Sequence, residues 1–147
     1  MTKRKATQVL VQGAIKPDKI AAVIANHQTK TAVGAHEIFL GQVRADEIEG
    51  KTIKAIEFSA YPEMAIQILA ELRESVFEKF EITCLHMYHS QGKVTAGEVC
   101  FFVMTSSSHR LAAREATRYL VERIKADVPI FGKEIFEDDS HTWKHNN

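Results

Sequence analysis

The sequence predicts an α+β protein, a mainly antiparallel sheet with helices packed on it. Strand-like and helix-like segments follow one another in the order β-α-β-β-α-β-β-α-β. The 147 residues suit one domain over 1–147, which buries roughly two-thirds of its unfolded surface without a metal or disulfide staple. No repeat, low-complexity tract or Pro/Gly-rich linker divides it, residues 1–6 are expected to be flexible, and 140–147 read as a polar tail.

Thr7–Gln12 is rich in β-branched residues and gives the first strand. Lys16-Pro17-Asp18 opens a helix to about His27, with proline where its missing N–H costs nothing. Gly34 to Val43 reads as a second strand, with Ile38 and Leu40 on one face and Phe39 on the other. A charged turn reverses at Gly50, and Thr52–Ser59 alternates as a third strand. Tyr61-Pro62-Glu63 then starts a helix whose Ala65, Ile68, Leu69, Leu72, Val76 and Phe80 fall on one face.

Ile82–His89 and Glu98–Thr105 are the next strands, joined across Gln91-Gly92-Lys93 and Ala96-Gly97. Ser106-Ser107-Ser108 offers N-caps for a helix from about His109 to Ala126. Its buried stripe is expected at Ala112, Ala116, Tyr119, Leu120 and Ile124. Pro129 lies beyond its end, and Ile130–Phe136 is a short last strand.

Composition excludes several classes. At 45% hydrophobic and 26% charged, the chain is not a disordered one. Nineteen basic side chains balance nineteen acidic ones, so whole-chain charge gives no reason to bind nucleic acid or an anionic membrane. The longest apolar runs, Ile20–Ala25 and Val99–Met104, have six residues each, far short of the ~20 of a membrane helix. Val9-Leu10-Val11 is too short for a secretory h-region. Cys84 and Cys100 lie sixteen residues apart in apolar stretches, which reads as buried, reduced thiols in a cytoplasmic protein. His86 and His89, at i and i+3 in a strand, face opposite sides and do not form a metal pair.

Three segment ends concentrate cations. Gly41-Gln42-Val43-Arg44 puts an arginine at the mouth of a strand, where its planar fork can hold a phosphate. Ser107-Ser108-His109-Arg110 opens a helix, adding two cationic side chains to free backbone N–H groups. Lys125 ends that helix and Lys133 follows. A lysine directed into a cleft among other cations is a usable base or nucleophile near neutrality. Each alone fits a solvated charge or a capped helix end. Their recurrence points to one pocket for an anionic small molecule.

These segments belong to a longer ordered set. Gly34-Ala35, Phe39-x-Gly41-x-Val43-Arg44 and Glu57-Phe58-Ser59-Ala60-Tyr61-Pro62-Glu63-Met64 come first. His89-x-x-Gly92, Gly97-Glu98, Ser107-Ser108-His109-Arg110 and Lys125-x-x-x-Pro129-Ile130 continue it. From about Val33 to Trp143 the chain resembles the catalytic (large) subunit family of molybdopterin synthase.

The resemblance implies a sulfur transferase of molybdenum cofactor biosynthesis with an α/β hammerhead-type fold. Its substrate would be cyclic pyranopterin monophosphate, precursor Z, and its product would carry a dithiolene. Sulfur would arrive as a thiocarboxylate on the C-terminal Gly-Gly of a small ubiquitin-like partner. A homodimer of large subunits would carry one partner at each end, as a heterotetramer. No protein-bound metal or cofactor is implied.

By position, Arg44, His109 and Arg110 match the family's phosphate and pterin residues, with Gln42 and Val43 beside them. Lys125 matches its active-site lysine, and Lys133 and Glu134 fall in its second lysine motif. That motif departs here: the second lysine falls on Gly132. Either Lys133 reaches in through a local shift that glycine permits, or the contact is lost. The loss would leave a catalytically weakened relative that binds the pterin phosphate or the partner.

Overall fold

The computed structural model describes residues 9–145. The first six residues, expected to be flexible, and Thr7 and Gln8 of the first expected strand lie outside them. The elements are β1 (Leu10–Gln12), α1 (Pro17–Ala25), β2 (Ala35–Gln42), β3 (Glu47–Ile48), β4 (Lys51–Ala60) and α2 (Pro62–Lys79). They continue as β5 (Cys84–Thr95), β6 (Val99–Ser107), α3 (Arg110–Asp127), β7 (Ile130–Phe136) and β8 (His141–Trp143).

The strands share one sheet in the order β2-β6-β5-β4-β7-β8, with β1 beside β5 and β3 beside β4. Every pairing is antiparallel except β1 with β5. This is the α+β class read from the sequence.

β5 organises the sheet. Its first half, Cys84 to His89, pairs with β6, and its last residues, Gly92 to Thr95, pair with β4. Gln91-Gly92-Lys93, expected as a connection, therefore runs inside the strand. Gly92 adopts φ 81°, a left-handed conformation open to glycine at no steric cost, where the strand changes partners. A true reversal occurs at Glu49-Gly50, where both residues have positive φ between Ile48 and Lys51. Positive φ at both central positions of a two-residue loop is a type I′ turn, whose twist matches its strands.

Helices α2 and α3 cover one face of the β6/β5 half, meeting at Ala65, Leu69, Leu72 and Val76 from α2 and Ala116, Leu120 and Ile124 from α3. Complete burial of the leucine, valine and isoleucine side chains among them contributes about 1.5–3 kcal/mol each. The stripe of α3 is rotated slightly from expectation, with Ala113, Thr117 and Val121 buried rather than Ala112 and Tyr119. Helix α1 covers the opposite face, where Val23 packs with Ile15, Phe102 and Met104. A third cluster, Val43, Ile53, Ile56, Phe58, Val94 and Phe136, fills the β4/β7 half.

Two further expectations change. Phe101 to Met104 and Phe136 are buried, so they offer no surface for a second copy. Because β2 is an edge strand, Ile38 (38% exposed) and Leu40 (47%) present apolar surface instead. The serines before α3 do not cap it: His109 holds the N-cap position, Ser107 Oγ donates to the His109 carbonyl, and Ser106 Oγ pairs with His36 Nδ1 at 2.6 Å. The tail read as polar contains β8, which pairs with β7.

Candidate active site

A cavity of about 670 Å³ opens where the C-terminal end of α3 meets the β4/β7 half of the sheet. Gly41, Gln42 and Arg44 line it from the end of β2. Ile56 and Phe58 come from β4, His89 from β5, Cys100 and Phe101 from β6. Lys125 enters from the last turn of α3, Gly132 and Glu134 from β7, and Lys144 from just beyond β8. Apolar side chains such as Ile56, Phe58 and Phe101 share the wall with polar and charged groups drawn from separate parts of the chain, an arrangement suited to a polar small molecule.

The fold brings together four of the site residues expected from sequence: Gln42, Arg44, Lys125 and Glu134. Arg44 is well exposed at the mouth, paired with Asp46 at 3.1 Å. An ion pair so open to water contributes little stability and leaves the guanidinium available to a stronger anion. Asp127 pairs with Arg123, turned from the cavity as its helical offset from Lys125 requires.

The other four stand elsewhere. Val43 is buried in the β4/β7 core, its backbone held by Glu98 and Gly97. Lys133 lies on the opposite face of β7 from Gly132 and Glu134, and its Nζ meets Glu57 at 3.2 Å. Strand alternation causes this: Gly132↔Phe58 and Lys133↔Glu57 stay in register, so no local shift turns Lys133 inward. His109 and Arg110 are exposed at the start of α3. Fifteen residues of helix separate Arg110 from Lys125, about 22 Å. Within one chain, therefore, Arg44, His109 and Arg110 do not converge.

Sequence reasoning missed His89, Cys100 and Lys144 as wall residues. His89 and His86 do face opposite sides: His86 Nε2 meets His27 Nε2 at 3.0 Å below α1, while His89 points into the cavity. His89 sits between the rings of Phe58 and Phe101, with Nδ1 bonded to the Ser90 carbonyl at 3.0 Å. Desolvation lowers its pKa to about 4, against the bond to Ser90 and with help from the charge of Lys125. It is therefore neutral at pH 7. A neutral ring that donates from Nδ1 carries its lone pair on Nε2.

Cys100 is half-buried rather than buried, and its Sγ lies 3.6 Å from the Gly41 carbonyl. Burial pushes its thiol up, opposed by the positive charges of Lys125 and Lys144. Among the described residues no three His, Cys, Asp or Glu side chains are grouped to hold a metal, and no helix is long and apolar enough to cross a membrane.

The model of the MoaE protein family matches residues 10–127. The chain belongs to the MoaE family. Its curated relatives include the molybdopterin synthase catalytic subunit of Bacillus subtilis (strain 168), 41% identical over 109 residues, which are 74% of this chain and 69% of that protein. That of Oryza sativa subsp. indica is 36% identical over 139 residues, covering 95% of this chain and 70% of the rice protein.

Among solved structures, molybdopterin synthase from Staphylococcus aureus superposes with a TM-score of 0.79 at 29% identity, over 95% of this chain and 97% of that one. A Helicobacter pylori chain, from a complex of subunits 1 and 2 of molybdopterin-converting factor, superposes at 0.80. At 19% identity, over 96% of this chain and 92% of that one, it speaks for the MoaE fold alone.

Proposed function

We propose that this MoaE-family chain is the catalytic subunit of a molybdopterin synthase, acting on cyclic pyranopterin monophosphate. One observation carries the reading: the fold draws Arg44, Lys125 and Glu134 from three distant segments into one cavity of about 670 Å³. The partner is a small ubiquitin-like protein whose thiocarboxylated Gly-Gly tail enters that cavity. Each transfer exchanges the tail's sulfur for an oxygen of the pterin side chain, returning a carboxylate. Two transfers on adjacent carbons build the dithiolene, and the cyclic phosphate opens.

In this reading Arg44 holds phosphate at the mouth, because its fork can bind two oxygens at once. Lys125 stabilises the developing anion as an ammonium and moves a proton as an amine. His109 and Arg110 stand about 22 Å from Lys125, so they would serve the cavity of a second copy. That fits a homodimer, for which the exposed Ile38 and Leu40 of β2 offer apolar surface. Two dimer ends then make a heterotetramer with two partners. The free thiols of Cys84 and Cys100 suit a reducing, cytoplasmic compartment.

The test is to mix the chain with a thiocarboxylated partner and precursor Z. Dithiolene product is expected. Partner binding without product would mark a weakened relative, and neither would leave a non-catalytic scaffold. Sedimentation of the chain alone at micromolar concentration should give a dimer; a monomer would remove the homodimer.

A further inference from the structure

We propose that Lys144 supplies the second ammonium of the cavity, occupying space that Gly132 leaves open beside Lys125. The proposal rests on the functional reading above and assigns a substrate-holding role to a residue outside every motif singled out in the sequence. Strand register places it. β8 pairs Thr142 with Glu134 and Trp143 with Lys133, and the Lys144 N–H donates to the Gly132 carbonyl at 2.8 Å. Glu134 and Gly132 face the cavity and Lys133 faces away, so alternation turns Trp143 outward and Lys144 inward.

The glycine is what admits it. A Cβ built on Gly132 would stand 3.0 Å from Ile56 Cγ2, 3.5 Å from Phe58 Cε1 and 3.5 Å from Lys144 Cδ. The lysine stem thus passes directly over the glycine, and a longer side chain at 132 would compete for the same volume. Cys100 marks where the charge goes: the positive charges of Lys125 and Lys144 both act on its thiol.

The charge balance gives the second ammonium a use. With histidines neutral, the lining carries Arg44, Lys125 and Lys144 against Asp46 and Glu134. Lys144 therefore decides whether the lining is formally neutral or positive. The reaction brings two anions together there, a cyclic phosphate and a thiocarboxylate, and desolvating both requires paired cations. A surface lysine in a solvated tail would have no such consequence.

The experiment compares Lys144→Met, which keeps the stem but loses the charge, with Lys144→Arg and with Lys133→Ala as the outward control. KM for precursor Z with thiocarboxylated partner is measured beside the pH profile of Cys100 alkylation, read by mass spectrometry on variants whose melting matches wild type. Lys144→Met is expected to raise KM about tenfold or more, the usual effect of losing a hydrogen bond to a charged group. It should also move the Cys100 profile to higher pH, because a cation that favoured the thiolate is gone. Lys144→Arg should recover most of both, and Lys133→Ala should change neither. An unchanged KM in Lys144→Met overturns the proposal. If wild type converts no pterin, the functional reading itself has failed. The thiol profile then decides the placement of Lys144 alone, and an unshifted profile overturns that as well.

Discussion

Replacing Lys125 with alanine is expected to cut dithiolene formation by about 10²–10⁴-fold, the usual range for losing a positioned acid or base. The residue occupies the last turn of α3, in the cavity wall with Arg44 and Glu134. Transfer of sulfur to carbon and release of a carboxylate both move a proton and develop negative charge, and one amine can serve both. The ubiquitin-like body would dock over a far larger surface than one side chain, so partner affinity should survive. Ile124 and Val128, one residue before Lys125 and three after it, are buried in the α2/α3 core, whereas Lys125 itself is exposed. Melting should therefore change little, and the loss should fall on turnover. Near-wild-type product from Lys125→Ala would sink the assignment.

The second large effect is on stability at acid pH. His89 titrates at about 4 in the folded chain, against about 6.5 when unfolded. Between those values the unfolded chain binds the extra proton, so stability rises with pH through the window and is lost as pH falls from about 6.5 to 4. The shift corresponds to as much as about 3 kcal/mol. Urea unfolding of wild type and His89→Phe at intervals across this range should show wild type losing stability relative to the variant as pH falls. A difference that stays constant from pH 7 to 4 would mean that His89 titrates normally and is not held neutral in the wall.

How far the sequence reveals this molecule depends on the element. Ile130–Phe136 and α2 are legible because proline and apolar periodicity mark where they start and which face is buried. β5 is misread at its middle, since a Gln-Gly-Lys run looks like a turn, while Gly92 only bends the strand between two partners. In the site, Arg44 and Lys125 are legible as cations at segment ends. Lys133 is not, because its direction depends on β7 keeping register with β4, which a single strand's pattern does not specify.

Lys144 is hidden for a similar reason. Nothing in a polar tail announces a strand, and only the pairing of β8 turns that lysine toward the cavity. The departure at Gly132 was the available clue. A missing side chain at a cavity wall asks what fills the space, and here the answer comes from twelve residues further along the chain.

If the Lys125 cavity holds the pterin phosphate for sulfur transfer, the substrate should be seen there. A crystal structure of the chain with cyclic pyranopterin monophosphate tests it most directly. The pterin is expected inside the cavity, with its phosphate on Arg44 and its reacting carbons within reach of Lys125. Pterin bound away from Lys125, with the cavity left to solvent, would contradict it.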